Sequence, residues 1–172
     1  TPDEPAPAVA ELTVGLMIDL LRHVSVSNLG LRERIWARPL GRRLAEVTVG
    51  IVGVGRIGKR VIQHLQAFRP RILVCDIMPD LEFGTRYDLE WVTPERLFEQ
   101  ADVISLHAPL TKQTHHLVNV AAFRQMKKSA VLVNTARGGV VDETALYNAL
   151  KAGEIAAAAM DEEPSPLAFI MP

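Results

Sequence analysis

Gly53, Gly55 and Gly58 form a Gly-Val-Gly-Arg-Ile-Gly turn between the apolar run Val47-Thr48-Val49-Gly50-Ile51-Val52 and a helical pattern. A second apolar run, Arg71-Ile72-Leu73-Val74-Cys75, ends in Asp76. These residue types in this order suit the holding of a pyrophosphate and a ribose. The first glycine allows a tight turn, the second lets backbone approach a phosphate, and the third lets helix and strand pack closely. The helix opening at Arg56 and Ile57 would turn unpaired N–H groups and its positive dipole end toward the phosphates. Asp76 would accept hydrogen bonds from ribose hydroxyls, and its charge would repel a 2′-phosphate. No Arg or Lys occurs in Ile77-Met78-Pro79-Asp80-Leu81, so NAD is expected rather than NADP. The plainer alternative for the same residues is a strand-to-helix turn without a ligand, with Asp76 capping the next turn.

The elements that must position these groups follow from the apolar pattern. Strands are predicted over 47–52, 71–75, 102–107, 130–134 and 155–160, with a short one within 89–92. Helices are predicted over 57–67, 94–99, 119–126 and 142–151. Thr93 precedes Pro94 as a cap precedes a first-turn proline, and Gly153 stands where a helix should stop. Val131-Leu132-Val133 is the continuous apolar run of a strand covered on both faces. Alternating strands and crossover helices imply an α/β fold, a doubly wound parallel sheet of the Rossmann type. Ligands on such sheets gather beyond the carboxyl ends of strands. Gly53, Asp76, His107-Ala108-Pro109 and Asn134-Thr135-Ala136-Arg137 all fall at predicted strand ends, so they point to one crevice. Arg137 read alone also suits a surface ion pair.

Before the first strand, 8–23 has a helical stripe that includes Val9, Leu12, Leu16 and Leu20. Leu29 to Leu44 reads as an irregular arm, with Arg32, Arg34, Arg38, Arg42 and Arg43 around Trp36. Its apolar residues suit pairing with a second copy across a two-fold axis, with Trp36 folded onto its own domain as the alternative.

The 172 residues suffice for one α/β domain. Nineteen basic and twenty acidic residues leave a net charge of −1, which gives no electrostatic footprint for nucleic acid. No apolar stretch approaches a membrane span, and the acidic, proline-rich start has no secretory pattern. The lone Cys75 excludes an intrachain disulfide and suits a reducing, cytoplasmic setting. No grouping has metal-ligand spacing.

Four stretches together are more specific than the glycine turn. They are Ala8-Val9-Ala10-Glu11-Leu12-Thr13, Gly50 to Gly58, Ser105-Leu106-His107-Ala108-Pro109-Leu110-Thr111, and Val133-Asn134-Thr135-Ala136-Arg137-Gly138-Gly139-Val140-Val141-Asp142-Glu143. In this order they resemble the NAD-dependent D-2-hydroxyacid dehydrogenases over nearly the whole chain. The resemblance implies that Arg56 and Ile57 meet the pyrophosphate and that Asp76 holds the ribose. It implies that Ala108 and Pro109 line the adenosine side, that Thr135 and Ala136 approach the nicotinamide, and that Asp161 bonds its carboxamide. It makes Arg137 the substrate-orienting arginine, whose planar fork suits a 2-keto acid. It makes Glu163, before Pro164, the carboxylate that raises the pKa of an acid/base histidine, although Asp161-Glu162-Glu163-Pro164 is three residues shorter than the family pattern.

By the same resemblance that histidine belongs to a Pro-His motif downstream of Pro172. The chain is therefore expected to be the coenzyme domain of a larger enzyme and inactive by itself. Residues 1–44 would form the first helix and a dimerisation arm, 45–164 the Rossmann core, and 165–172 a lead toward a substrate domain. The expected partners are a small 2-hydroxy or 2-keto acid and a second copy. An interaction protein resembling the NAD-responsive C-terminal-binding-protein corepressors is the alternative on this scaffold.

Overall fold

The computed structural model describes residues 5–161. Its strands are β1 (Thr48–Val52), β2 (Arg71–Cys75), β3 (Glu90–Trp91), β4 (Val103–Leu106), β5 (Val131–Asn134) and β6 (Ala157–Met160). They pair in parallel in the order β3-β2-β1-β4-β5-β6. The order reverses direction between β1 and β4, and that switch point is where the carboxyl ends of an open sheet leave a crevice. The helices are α1 (Pro5–Arg22), α2 (Val24–Arg32), α3 (Arg56–Leu65), α4 (Leu81–Arg86), α5 (Pro94–Gln100), α6 (Val120–Gln125) and α7 (Glu143–Ala152).

Each face of the sheet has its own apolar core. One gathers Val49, Ile51, Val74, Val103 and Val133 against α1 and α3. The other gathers Leu73, Ile104, Leu106 and Leu132 against α5, α6 and α7. Strands β4 and β5 are buried at every residue, because helices cover both of their faces.

Local chemistry sets the helix ends. Thr93 accepts the Arg96 N–H ahead of Pro94, and Asn119 accepts the Ala121 and Ala122 N–H groups. Asp142 accepts the Ala145 N–H, and Gly153 closes α7 in the left-handed conformation at φ 66°. The predicted strands and long helices are all present, with ends shifted by up to three residues. Three features depart from the sequence reading. Leu29–Arg32 are helical and belong to α2, so the irregular arm begins at Glu33. A six-residue helix, α4, fills the link after β2, capped by Asp80 accepting the Phe83 N–H. A single 3-10 turn, Gly138–Val140, follows Arg137.

The arm returns to the body through Arg42, which donates to the Asp102 carboxylate at 3.1 Å and to the Ser129 carbonyl at 2.6 Å. Between α2 and this anchor Trp36 is 83% exposed, so it is not folded onto its own domain. No described helix is long and apolar enough to cross a membrane.

Candidate functional site

The glycine turn sits directly on the switch point. Gly53 has φ +93°, a conformation that side chains resist, and a Cβ there would lie 2.8 Å from the Ala108 nitrogen and the His107 carbonyl carbon. A Cβ on Gly58 would run into the Gly53 carbonyl. These two glycines are demanded by the fold itself. Gly55 is not. Its φ of −77° suits any residue, it is exposed, and a Cβ there would meet nothing within 4 Å. The open space lies at the start of α3, where Arg56 and Ile57 begin the helix and first-turn amide groups lack helical partners. A pyrophosphate needs close backbone approach at this place, so the chain's own geometry fits a dinucleotide.

Asp76 stands at the end of β2, beside the turn. One carboxylate oxygen accepts the Val54 N–H at 2.7 Å and the other accepts the Met78 N–H at 2.8 Å. The expectation that such an acid caps the next turn and the expectation that it faces a ribose are compatible, since each oxygen keeps a lone pair. Ile77 and Met78 follow as exposed apolar side chains.

Beyond β4, His107 donates its backbone N–H to the Val52 carbonyl at 2.7 Å. Its ring Nε2 meets the buried Ser105 hydroxyl at 2.9 Å, while Nδ1 is buried. Burial holds this imidazole down at about 4. Ala108 is tucked into the core with its amide against Gly53, and Pro109 is exposed. Cys75 is buried, and burial first, then the charges of Asp76 and Glu95, push its thiol up to about 12. It is an inert core residue.

Beyond β5 the loop 135–137 is held from within. Asn134, 2% exposed, accepts the Ala136 N–H through Oδ1 at 3.0 Å and donates from Nδ2 to the Arg137 carbonyl at 3.0 Å. Its own carbonyl accepts the Asp161 N–H at 3.0 Å, which brings the end of β6 alongside. Arg137 is exposed and donates from Nη1 to the Ala136 carbonyl at 2.6 Å. Thr135 is buried, and its hydroxyl meets that of Thr13 on α1 at 2.9 Å. The structure therefore gathers Gly53, Gly55, Arg56, Ile57, Gly58, Asp76, Ala108, Pro109, Thr135, Ala136, Arg137 and Asp161 at the carboxyl ends of β1, β2, β4, β5 and β6. Glu163 lies outside the described residues.

Sequence reasoning placed Asn134 at the crevice and Thr13 in a family-like stretch but gave neither a role. For Asn134 a signal existed, because an Asn accepting the amide two residues on is a common turn. Thr13 had none, since its partner lies across the fold. Among the described residues no group of three or more His, Cys, Asp or Glu side chains is placed to hold a metal ion.

A six-stranded parallel sheet with a glycine turn and a terminal acid at its switch point defines a dinucleotide-binding domain. The family model for the D-isomer specific 2-hydroxyacid dehydrogenase NAD-binding domain matches residues 14–168. The chain belongs to that family, and its cofactor is NAD. It is 42% identical to a glyoxylate reductase from Thermofilum pendens, over 96% of this chain and 52% of that protein. It is 39% identical to a hydroxypyruvate reductase from Thermotoga maritima, over 94% of this chain and 52% of that protein. A crystal structure of D-lactate dehydrogenase with NAD+ from Lactobacillus jensenii superposes with a TM-score of 0.83 at 34% identity, covering 90% of this chain and 47% of that one. The chain thus spans about half the length of these relatives.

Proposed function

We propose that the protein carrying this domain moves a hydride between NAD(H) and a small D-2-hydroxy acid or the corresponding 2-keto acid. The observation that carries this reading is the Arg137 loop, pinned by Asn134 at the end of β5, on the same edge of the sheet as the open glycine turn. Bound NAD supplies a nicotinamide carbon that takes up or releases hydride. The first amides of α3, at Arg56 and Ile57, hold the pyrophosphate, and Asp76 holds the adenosine ribose. Ala108 and Pro109 wall the adenosine side. Thr135, Ala136 and Asp161 border the nicotinamide end. The Arg137 guanidinium grips the carboxylate and carbonyl oxygens of the substrate through two parallel N–H donors. Glu163 is assigned by resemblance to the carboxylate beside an acid/base histidine. Glyoxylate, hydroxypyruvate, 3-phosphoglycerate and lactate all occur in the names of relatives, so the substrate class is a small 2-hydroxy or 2-keto acid, phosphorylated or not. The test is NADH consumption by the full-length protein with a panel of 2-keto acids. Absence of turnover across the panel, with NAD bound, would overturn the reading.

The second part of the proposal is a homodimer formed through the segment from α1 to Leu44, which includes α2 and the arm. Leu29, Leu31, Ile35, Trp36 and Leu40 are each more than half exposed. Beside them a hollow of about 410 Å³ is lined by Leu20, Val26, Leu40 and Leu150 among others. An arm anchored by Arg42 and rich in apolar side chains suits an isologous contact, with its arginines on a wet rim. The compartment proposed is the cytoplasm, in keeping with the single buried thiol of Cys75.

A further inference from the structure

Asn134, the last residue of β5, is 2% exposed, a costly place for a primary amide unless its donor and acceptor are both met. One short stretch of backbone meets both. Oδ1 accepts the Ala136 N–H at 3.0 Å, and Nδ2 donates to the Arg137 carbonyl at 3.0 Å. The peptide unit that joins Ala136 to Arg137 lies between these contacts, so the side chain clasps it from either end. Such a clasp fixes the backbone torsions of both residues.

The clasp reaches the guanidinium through that same peptide unit. Its carbonyl, that of Ala136, accepts from Nη1 of Arg137 at 2.6 Å. The carbonyl points where the clasped torsions send it, and the guanidinium is tethered to the carbonyl. The turn that follows is braced from the other side. There the Gly139 carbonyl accepts the His116 N–H at 2.9 Å, and a Cβ on Gly139 would press on Leu110 at 3.1 Å. A long side chain with many rotamers is thus held at its root and near its tip. Two parallel N–H donors serve a carboxylate only in the right plane, so orientation counts as much as charge.

The chemistry dictates the residue type. Asn presents an acceptor and a donor on one short planar group. Ser can accept the amide two residues on but has no second arm for the Arg137 carbonyl. The carboxylate of Asp, equal in shape, sets an acceptor against that carbonyl and regains the donor only when protonated.

We propose that Asn134 is a positioning residue for the substrate: by clasping the Ala136–Arg137 peptide it aims the Arg137 guanidinium, through the Ala136 carbonyl, at the carboxylate of the 2-hydroxy or 2-keto acid. The inference rests on the reading of Arg137 as the substrate arginine given above.

The test is a double-mutant cycle in the full-length protein, with the 2-keto acid of the panel that turns over fastest. Wild type, Asn134→Ser, Arg137→Lys and the double variant are compared in kcat/KM, each with a melting curve and an NAD dissociation constant. Asn134→Ser is expected to lower kcat/KM by about tenfold, the scale of one hydrogen bond. In the Arg137→Lys background, where the fork to be aimed is gone, the same change should cost less than about twofold. A residue that only supports the fold or the coenzyme would show equal losses in both backgrounds. Asn134→Asp gives a second readout. Its kcat/KM relative to wild type is expected to rise about threefold or more from pH 8 to pH 5.5, as the buried carboxyl takes up a proton and returns the donor. Should Asn134→Ser fail to fold, Asn134→Asp at pH 8 takes its place in the cycle. Additive losses, or a flat Asn134→Asp ratio over that range, would overturn the proposal and leave Asn134 as a support of the loop. An Arg137→Lys variant with wild-type kcat/KM would instead refute the substrate reading itself.

Discussion

The carboxylate of Asp76, at the end of β2, accepts the backbone N–H of Val54, inside the glycine turn at the end of β1, at 2.7 Å. The residue proposed to recognise the ribose thus also shapes the turn proposed to hold the phosphates. Asp76→Ala is expected to do two things at once. It leaves the partly buried Val54 amide without its acceptor, at a cost of about 1–3 kcal/mol in denaturant unfolding. It also removes the charge that disfavours a 2′-phosphate, so the preference of the wild type for NAD over NADP should collapse. Calorimetric titration of both cofactors checks this, and equal affinities in the wild type would remove the ribose assignment.

The three glycines of the turn are expected to separate stability from binding. Gly53→Ala forces a side chain into positive φ and against the Ala108 amide, and Gly58→Ala presses on the Gly53 carbonyl. Each should lose roughly 2–4 kcal/mol of unfolding free energy. Gly55→Ala meets open space and should stay within about 1 kcal/mol of wild type. Its NAD affinity, in contrast, should fall by about tenfold or more, because the methyl occupies the path of backbone approach. A Gly55→Ala domain that binds NAD normally would show that this space has another occupant.

That difference marks how far the sequence was legible. The glycine spacing located the turn, and the alternation of apolar runs located five strands and the order of the crevice, because short-range periodicity and fixed φ demands are local properties. α4 escaped notice because it has six residues, contains Gly84 and follows Pro79-Asp80, a pattern that reads as a turn. Leu29–Arg32 were read as arm because arginines and the glycine at position 30 interrupt a helix of only nine residues. The order of the three glycines already separated their roles, but the clash that fixes Gly53, against His107 and Ala108, involves residues far along the chain and was not legible. The same holds for Thr13 and Thr135, which lie 122 residues apart in sequence.

Acid should weaken the fold through His107. Burial holds its imidazole at about 4 in the folded protein, against an ordinary value of 6.5. Between those values the unfolded chain binds the proton and the folded chain does not, so stability rises with pH across that window. Going from pH 6.5 to 4, up to about 3 kcal/mol should be lost from this residue. The carboxylates of Asp80, Glu90 and Asp102 are held below their ordinary values by their cationic and amide partners. Their share is lost as the pH falls through and below their unfolded range, so it is concentrated below the His107 window. Urea unfolding at pH 7, 5.5 and 4.5 measures the slope. His107→Gln should flatten it, and an unaltered slope would exclude His107 as its source.

Arg137→Lys is expected to be a severe change despite the conserved charge. An ammonium cannot reproduce two parallel N–H donors on a carboxylate and its neighbouring carbonyl. In the full-length protein, kcat/KM for the preferred 2-keto acid should fall by about 30–100-fold, corresponding to roughly 2–3 kcal/mol. NAD affinity should stay close to wild type, because the Asn134 bonds that hold the loop involve the backbone of Ala136 and Arg137. A variant with an unchanged KM and kcat would place the substrate elsewhere.

Self-association is expected to depend on the arm. Trp36 and Leu40 are 83% and 95% exposed, and neither contributes to either apolar core. Removing most of a tryptophan surface from water is worth about 2–3 kcal/mol, and a two-fold contact counts every such residue twice. Trp36→Ala should therefore weaken dimerisation by well over tenfold, and Ile35→Asp should abolish it by placing a charge in the apolar strip. Neither change touches a core contact, so melting curves of the monomeric form should barely move. Sedimentation over a concentration series distinguishes the outcomes. A wild-type protein that remains monomeric at high concentration would exclude the arm as a dimer contact and leave its apolar strip to a different partner.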